Sequence, residues 1–152
     1  MIKLMDIDRY NYLEVIRLSV TDEQKGYVAN NMYSLAEAKA KPECIPLAIY
    51  NDDILIGFLM YGIDFNDKEY WIYRIMIDVK HQNKGYGKQT LICILDKIIS
   101  DKEHNKVYIS VEPRNLIAKE LYEKLGFVLD GRIINEELIL CLDYTEQSEY
   151  SQ

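Results

Sequence analysis

The sequence is short of the residues that staple or metallate a small fold. Its three cysteines, Cys44, Cys93 and Cys141, are odd in number and show no CxxC spacing. That argues against a disulfide framework and a zinc site. Cys93 and Cys141 fall in apolar runs and read as small core residues. A nucleophilic cysteine would need a neighbouring histidine, and the chain holds only His81 and His104. No metal site is expected. Long apolar runs free of charge are missing, so no membrane-spanning helix and no membrane partner are expected. The opening MIKLMDIDRY scatters charges and has no apolar core, so no signal peptide is expected and the protein reads as cytoplasmic. Basic residues are the minority: 18 Lys and Arg stand against 25 Asp and Glu, for a net charge of −7. That average field repels a polyanion, so no nucleic acid partner is expected. It attracts cations, although acidity for solubility alone is common. Internal repeats, low-complexity stretches and linkers are also lacking.

What is present suits one domain, residues 1–152, with one hydrophobic core: 49% of residues are apolar and 28% charged. The polar end TEQSEYSQ, from about residue 145, is expected to fray. Residues 2–6 read as a strand. Tyr12, Leu13, Ile16 and Val20 recur at helical spacing, and a second helical stretch, about 22–40, ends before Pro42. CIPLAIYNDDILIGFLMYGID reads as a hairpin turning at Asn51-Asp52-Asp53. EYWIYRIMIDV reads as a third strand, with Trp71, Tyr73, Ile75, Ile77 and Val79 on one face and Ile72 and Met76 on the other. A helix over 86–102 follows, with Leu91, Ile94, Leu95 and Ile98 as its core stripe. Then come a strand at 106–111, a helix at 115–125 stopped by Gly126, and antiparallel strands at about 127–131 and 134–143. The order β-α-α-β-β-β-α-β-α-β-β is a mixed α/β fold.

HQNKGYGK, residues 81–88, lies between a strand and a helix. A helix start offers unpaired amides and partial positive charge, which suits phosphate. Gly85 and Gly87 would let the backbone approach an anion, with Lys84 and Lys88 at the rim. A plain tight turn fits two glycines equally well. Neither GxxxxGK[ST] nor GxGxxG is present.

The spacing Gln82-x-x-Gly85-x-Gly87 resembles the acetyl-CoA motif of the GNAT N-acetyltransferase superfamily, (Arg/Gln)-x-x-Gly-x-(Gly/Ala). NLIAKELYEKLGF, 115–127, resembles the family's N-x-x-A-x-x-(L/F)-Y-x-x-x-G-F segment. The resemblance covers nearly the whole chain. It implies a mostly antiparallel twisted sheet with a parallel central pair and helices on both faces. It also implies acetyl-CoA as cosubstrate, its pyrophosphate on the amides of Asn83, Lys84, Gly85, Tyr86, Gly87 and Lys88. The pantetheine arm would pair with the backbone of Ile75, Met76 and Ile77.

Asn115 and Tyr122 lie about two helical turns apart on one helix side. Asparagine also suits an N-cap, and tyrosine also suits packing. The family resemblance implies that Tyr122 is the catalytic residue, giving its phenol proton to the departing thiolate, and that Asn115 bonds the pantetheine arm or an ordered water. A strand amide, that of Ile77, is a candidate for the oxyanion. Relatives with a carboxylate base carry it nine residues before the Gln82 position. Here that residue is Tyr73, followed by Arg74, so no base is assigned.

Within the superfamily, LIGFLMYG (55–62), IYRIMIDVKHQNKGYGKQTL (72–91) and VYISVEPRNLIAKELYEKLGFVLDGR (107–132) most resemble bacterial spermine/spermidine acetyltransferases. That implies a small cationic amine as substrate. A protein N-terminus, a lysine or an aminoglycoside would keep the chemistry, and a non-catalytic CoA-binding protein is the third reading. A polyamine wants spaced carboxylates and aromatic faces. Asp22, Glu23, Tyr27, Asp64, Asp67 and Glu69 are available, and Tyr33 and Glu37, four apart on one helix face, are chosen with Tyr73 as substrate-binding candidates. A homodimer is expected by analogy.

Overall fold

Among the described residues, 1–145 of this computed structural model, seven strands form one sheet in the order β1-β2-β3-β4-β5-β7-β6. They are β1 (Ile2–Asp6), β2 (Ile45–Asn51), β3 (Ile54–Ile63), β4 (Tyr70–Ile77), β5 (Lys106–Val111), β6 (Val128–Ile134) and β7 (Glu137–Asp143). Four helices accompany them: α1 (Tyr12–Arg17), α2 (Asn31–Ala40), α3 (Tyr86–Ile99) and α4 (Leu116–Lys124). The expected fraying of the tail falls on residues 146–152, which lie outside the described residues.

Neighbouring strands run antiparallel, except β4 and β5, which are parallel. The stripe Leu91, Ile94, Leu95 and Ile98 of α3 is buried with Tyr122 of α4 against one sheet face. Val15 of α1 and Leu35 and Ala38 of α2 pack with Phe58, Met60 and Met76 on the other. The sheet is therefore mixed, with one parallel pair and helices on both faces, as the family resemblance implied.

The first third departs from the sequence pattern. Residues 22–40 are not one helix. A single 3-10 turn, Glu23–Gly26, precedes α2. The Asn30 side chain accepts the N–H of Tyr33 at 2.8 Å and starts α2 there. Glycine disfavours helix continuation, and asparagine competes for backbone donors. In α1 the buried residue is Val15, whereas Tyr12 and Leu13 are exposed. A helix of under two turns is too short for its apolar spacing to select one face. Cys93 and Cys141 are only partly buried, and Cys44 alone is buried.

The decisive irregularity is in β4. Tyr61 pairs with Ile72 and Met60 with Arg74, so Tyr73 is an extra residue, a β-bulge. The bulge reverses the expected alternation. Ile72, Ile75 and Ile77 pack on the α3 and α4 side, while Tyr73 and Met76 pack on the α1 and α2 side. Beyond it the parallel pair opens. β4 and β5 are paired only at Tyr70–Val107, Trp71–Tyr108 and Ile72–Ile109. From Tyr73 to Ile77, β4 has no strand partner on its β5 side, and the two strands form a fork.

Candidate active site

The fork opens into a cleft of about 1160 Å³. Its walls include Tyr73 to Ile77 of β4, Ile109 to Val111 of β5, Gln82 and the glycine loop, Asn115 and Tyr122. The structure thus gathers most of the sequence candidates around one space.

The loop geometry follows from Asn83 and Gly85. Asn83 has φ 64° and Gly85 φ 81°, both left-handed. Such residues turn successive amides toward one point, a shape that suits anions. The first hydrogen bond of α3 runs from Gln89 N–H to the Gly85 carbonyl at 3.2 Å. The amides of Tyr86, Gly87 and Lys88 precede it and keep no partner among the described residues. Packing does not demand glycine at 87: a Cβ there would meet only Leu121 Cδ2, at 3.9 Å. The space left over it is open to a ligand, so the loop fits a diphosphate. Lys84 and Lys88 are in the same loop and first turn.

Two loop candidates also have structural partners. Gln82 Nε2 donates to the Ile77 carbonyl at 2.9 Å and to Gln24 Oε1 at 2.8 Å, fixing the end of β4 to the 3-10 turn. Tyr86 accepts from Asn51 Nδ2 at 3.0 Å, joining α3 to the β2–β3 hairpin.

Asn115 is the N-cap of α4, its side chain accepting the Ala118 N–H at 3.3 Å. Tyr122, two turns on, is 6% exposed. Its hydroxyl has no hydrogen-bond partner among the described residues. Burial, then the charge of Glu137, raises its phenol pKa above the ordinary value, so the proton stays on. A buried, protonated and uncommitted phenol at the rim of the fork can act as a proton donor.

The substrate-binding candidates fare differently. Tyr33 is exposed and lines the main cleft and a smaller one of about 540 Å³ beside it. Glu37 accepts from Arg74 at 3.1 Å and pairs with Lys41 at 3.2 Å, so its charge is already met. Tyr73 lines the cleft and donates its hydroxyl to Asp64 Oδ1 at 2.8 Å. Burial and Asp64 together raise its pKa. Sequence reasoning missed Ser110 and Glu137. Ser110 Oγ donates a hydrogen bond to Glu137 Oε2, and both line the cleft. Alternation in KVYISV marks Ser110 as facing away from the core, but only the β5–β7 pairing brings Glu137 to it.

The matched region decides the family: residues 11–127 fit the model of the "Acetyltransferase (GNAT) family". The chain belongs to the GNAT acetyltransferases. Among curated relatives of this acetyltransferase is the spermine/spermidine N(1)-acetyltransferase of Bacillus subtilis (strain 168). It is 28% identical over 129 residues, covering 81% of this chain and 85% of the relative. The crystal structure of spermidine N-acetyltransferase from Vibrio cholerae in complex with CoA and spermine superposes with a TM-score of 0.75. Its identity is 19%, covering 99% of this chain and 98% of that one. An aminoglycoside acetyltransferase, AAC(6')-Ib, in complex with coenzyme A gives a TM-score of 0.81 at 13% identity, over 100% of both chains. These structural likenesses show the shared fold.

Proposed function

We propose that this acetyltransferase moves the acetyl group of acetyl-CoA to a primary amine of a polyamine such as spermidine or spermine. The observation that carries the reading is the fork. An unpaired β4 edge, a loop of free amides and the protonated phenol of Tyr122 border one cleft. The amides from Asn83 to Lys88 hold the diphosphate. The backbone of Ile75, Met76 and Ile77 pairs with the pantetheine arm as an added strand would. Asn115 caps α4, lines the same cleft and bonds the pantetheine arm. Tyr122 gives its proton to the sulfur as the carbon–sulfur bond breaks.

The polyamine acceptor is supported by the curated relatives and by the cleft's charge. Asp64, Asp67 and Glu137 line it without an ion pair among the described residues. The other charged side chains on its walls, Glu112, Arg74 and Arg132, are paired with Arg114, Glu37 and Asp130. Aromatic walls at Tyr27, Tyr33, Trp71 and Tyr73 suit ammonium groups. The whole chain acts as one domain in the cytoplasm; no described helix is long and apolar enough to cross a membrane. It works as a homodimer. The edge strand β6 exposes Val128, Leu129, Ile133 and Ile134, a surface that a second copy would cover. An acceptor panel tests the function: spermidine, spermine, a lysine peptide and an aminoglycoside, each with acetyl-CoA, read by product mass. Acetylated polyamine is expected; exclusive acetylation of another amine would keep the chemistry and overturn the acceptor.

A further inference from the structure

The family position for a carboxylate base holds Tyr73 here, so the proton of the acceptor ammonium needs another destination. Four carboxylates line the cleft: Asp64, Asp67, Glu112 and Glu137. Three have both oxygens engaged. Asp64 accepts from Tyr73 Oη at 2.8 Å and from Asn66 N–H at 3.0 Å. Asp67 accepts from Glu69 N–H at 2.9 Å and from Trp71 Nε1 at 2.8 Å. Glu112 accepts from Arg114 Nε and from its backbone N–H, both at 2.8 Å. Glu137 differs. Ser110 Oγ donates to its Oε2, and Oε1 has no partner among the described residues.

Its placement is fixed from both sides. Asn135 and Glu136, at φ 50° and 66°, make a tight two-residue hairpin turn that pairs Glu137 with Ile134. Ser110 is the first residue of β5 past the last β4–β5 pair, Ile72–Ile109, so it marks the crotch of the fork. Tyr73 holds the same position on β4. Val107, Ile109 and Val111 pack toward α3 and α4, which turns Ser110, and the carboxylate bonded to it, to the opposite face. Tyr122 reaches the fork from the α4 side, and the charge of Glu137 is felt at its phenol.

We propose that Glu137, oriented by Ser110 at the crotch of the fork, is the base that takes the proton of the attacking ammonium. This rests on the reading of the fork as the place where amine meets thioester. One N–H bond of the ammonium breaks and its proton goes to Glu137 Oε1. The freed lone pair forms the nitrogen–carbon bond at the thioester carbonyl. The carbon–sulfur bond breaks with the phenol proton of Tyr122 going to sulfur. The second ammonium proton returns to the phenolate, and Glu137 releases its own to solvent. Ser110 is a positioning residue. The other charged groups on this wall are satisfied: Glu112 by Arg114 and Arg132 by Asp130.

The test is the pH dependence of spermidine acetylation by the full-length enzyme. In Glu137→Gln, kcat near neutral pH should fall about a hundredfold or more. The deficit should shrink as pH approaches about 10, where solution itself supplies neutral amine. Acetyl-CoA affinity should hold. Ser110→Ala should show a smaller deficit that closes in the same way, and it carries the test if Glu137→Gln does not fold. A deficit equal at every pH, or kcat within twofold of wild type, overturns the assignment. Wild-type enzyme that acetylates no amine overturns the underlying reading as well, and only that outcome does so.

Discussion

Arg74, the residue after the bulge in β4, donates to Glu37 of α2 across 3.1 Å, with both side chains less than a quarter exposed. This contact fastens α2 to the sheet. It also occupies a carboxylate that the sequence offers for an ammonium ion. Glu37→Gln should therefore cost about 1–3 kcal/mol of stability, since it leaves a largely buried guanidinium underpaired. The KM for spermidine should stay within about threefold, a shift of under 1 kcal/mol. Urea unfolding and steady-state kinetics on the one variant separate the two roles. A tenfold rise in KM with unchanged stability would return Glu37 to the substrate.

Gly87 is a second place where fold and function part. It sits in the first turn of α3, where a methyl group meets no clash. Gly87→Ala should raise stability by about 0.5–1 kcal/mol, the usual gain from limiting the unfolded chain. Coenzyme A affinity should hold, because the methyl group is small. Gly87→Glu places bulk and negative charge over the free amides and should abolish binding while the protein stays folded. Calorimetric titration with coenzyme A, beside a thermal melt, reads both. Retained affinity in Gly87→Glu would move the diphosphate elsewhere.

Tyr122→Phe removes a hydroxyl with no hydrogen-bond partner among the described residues, so the fold should not suffer. kcat should fall about a hundredfold or more, the usual worth of a positioned proton donor. The dissociation constant of acetyl-CoA should barely change. Single-turnover kinetics with spermidine measure the step. A kcat within twofold of wild type would leave the phenol as a packing residue.

Tyr70, Tyr73, Tyr122 and Tyr144 have phenol pKa values raised first by burial, Tyr144 to about 12. A folded value above the unfolded one means that the native state holds the proton more tightly. The stability this brings is fully present below the unfolded value of about 10 and is lost as pH rises through the folded values. Melting temperature should hold up to about pH 9 and drop steeply beyond about pH 10. Tyr122→Phe should drop less steeply. Equal slopes would show that Tyr122 ionises as freely in the folded protein as in the unfolded one.

The sequence carried the element order, the strand–loop–helix junction at Gly85 and Gly87, and the α3 stripe, because each follows from local periodicity or backbone freedom. The bulge at Tyr73 was not legible. An extra residue in β4 is defined only against Tyr61 and Met60 of β3, its partners in space. For the same reason Glu137 looked like one acid among many until β7 was set beside β5. Glu37 was misleading for the converse reason: spacing on α2 shows which residues share a helix side, but not that Arg74 waits on the strand beneath.

The central claim is that coenzyme A lies along the open edge of β4 with its sulfur at Tyr122. A crystal structure of the coenzyme A complex measures this directly. The diphosphate should sit on the amides of Asn83 to Lys88 and the pantetheine arm beside Tyr73 to Ile77, with the sulfur within hydrogen-bonding reach of Tyr122 Oη. Coenzyme bound outside the fork, or a sulfur remote from that phenol, would contradict it.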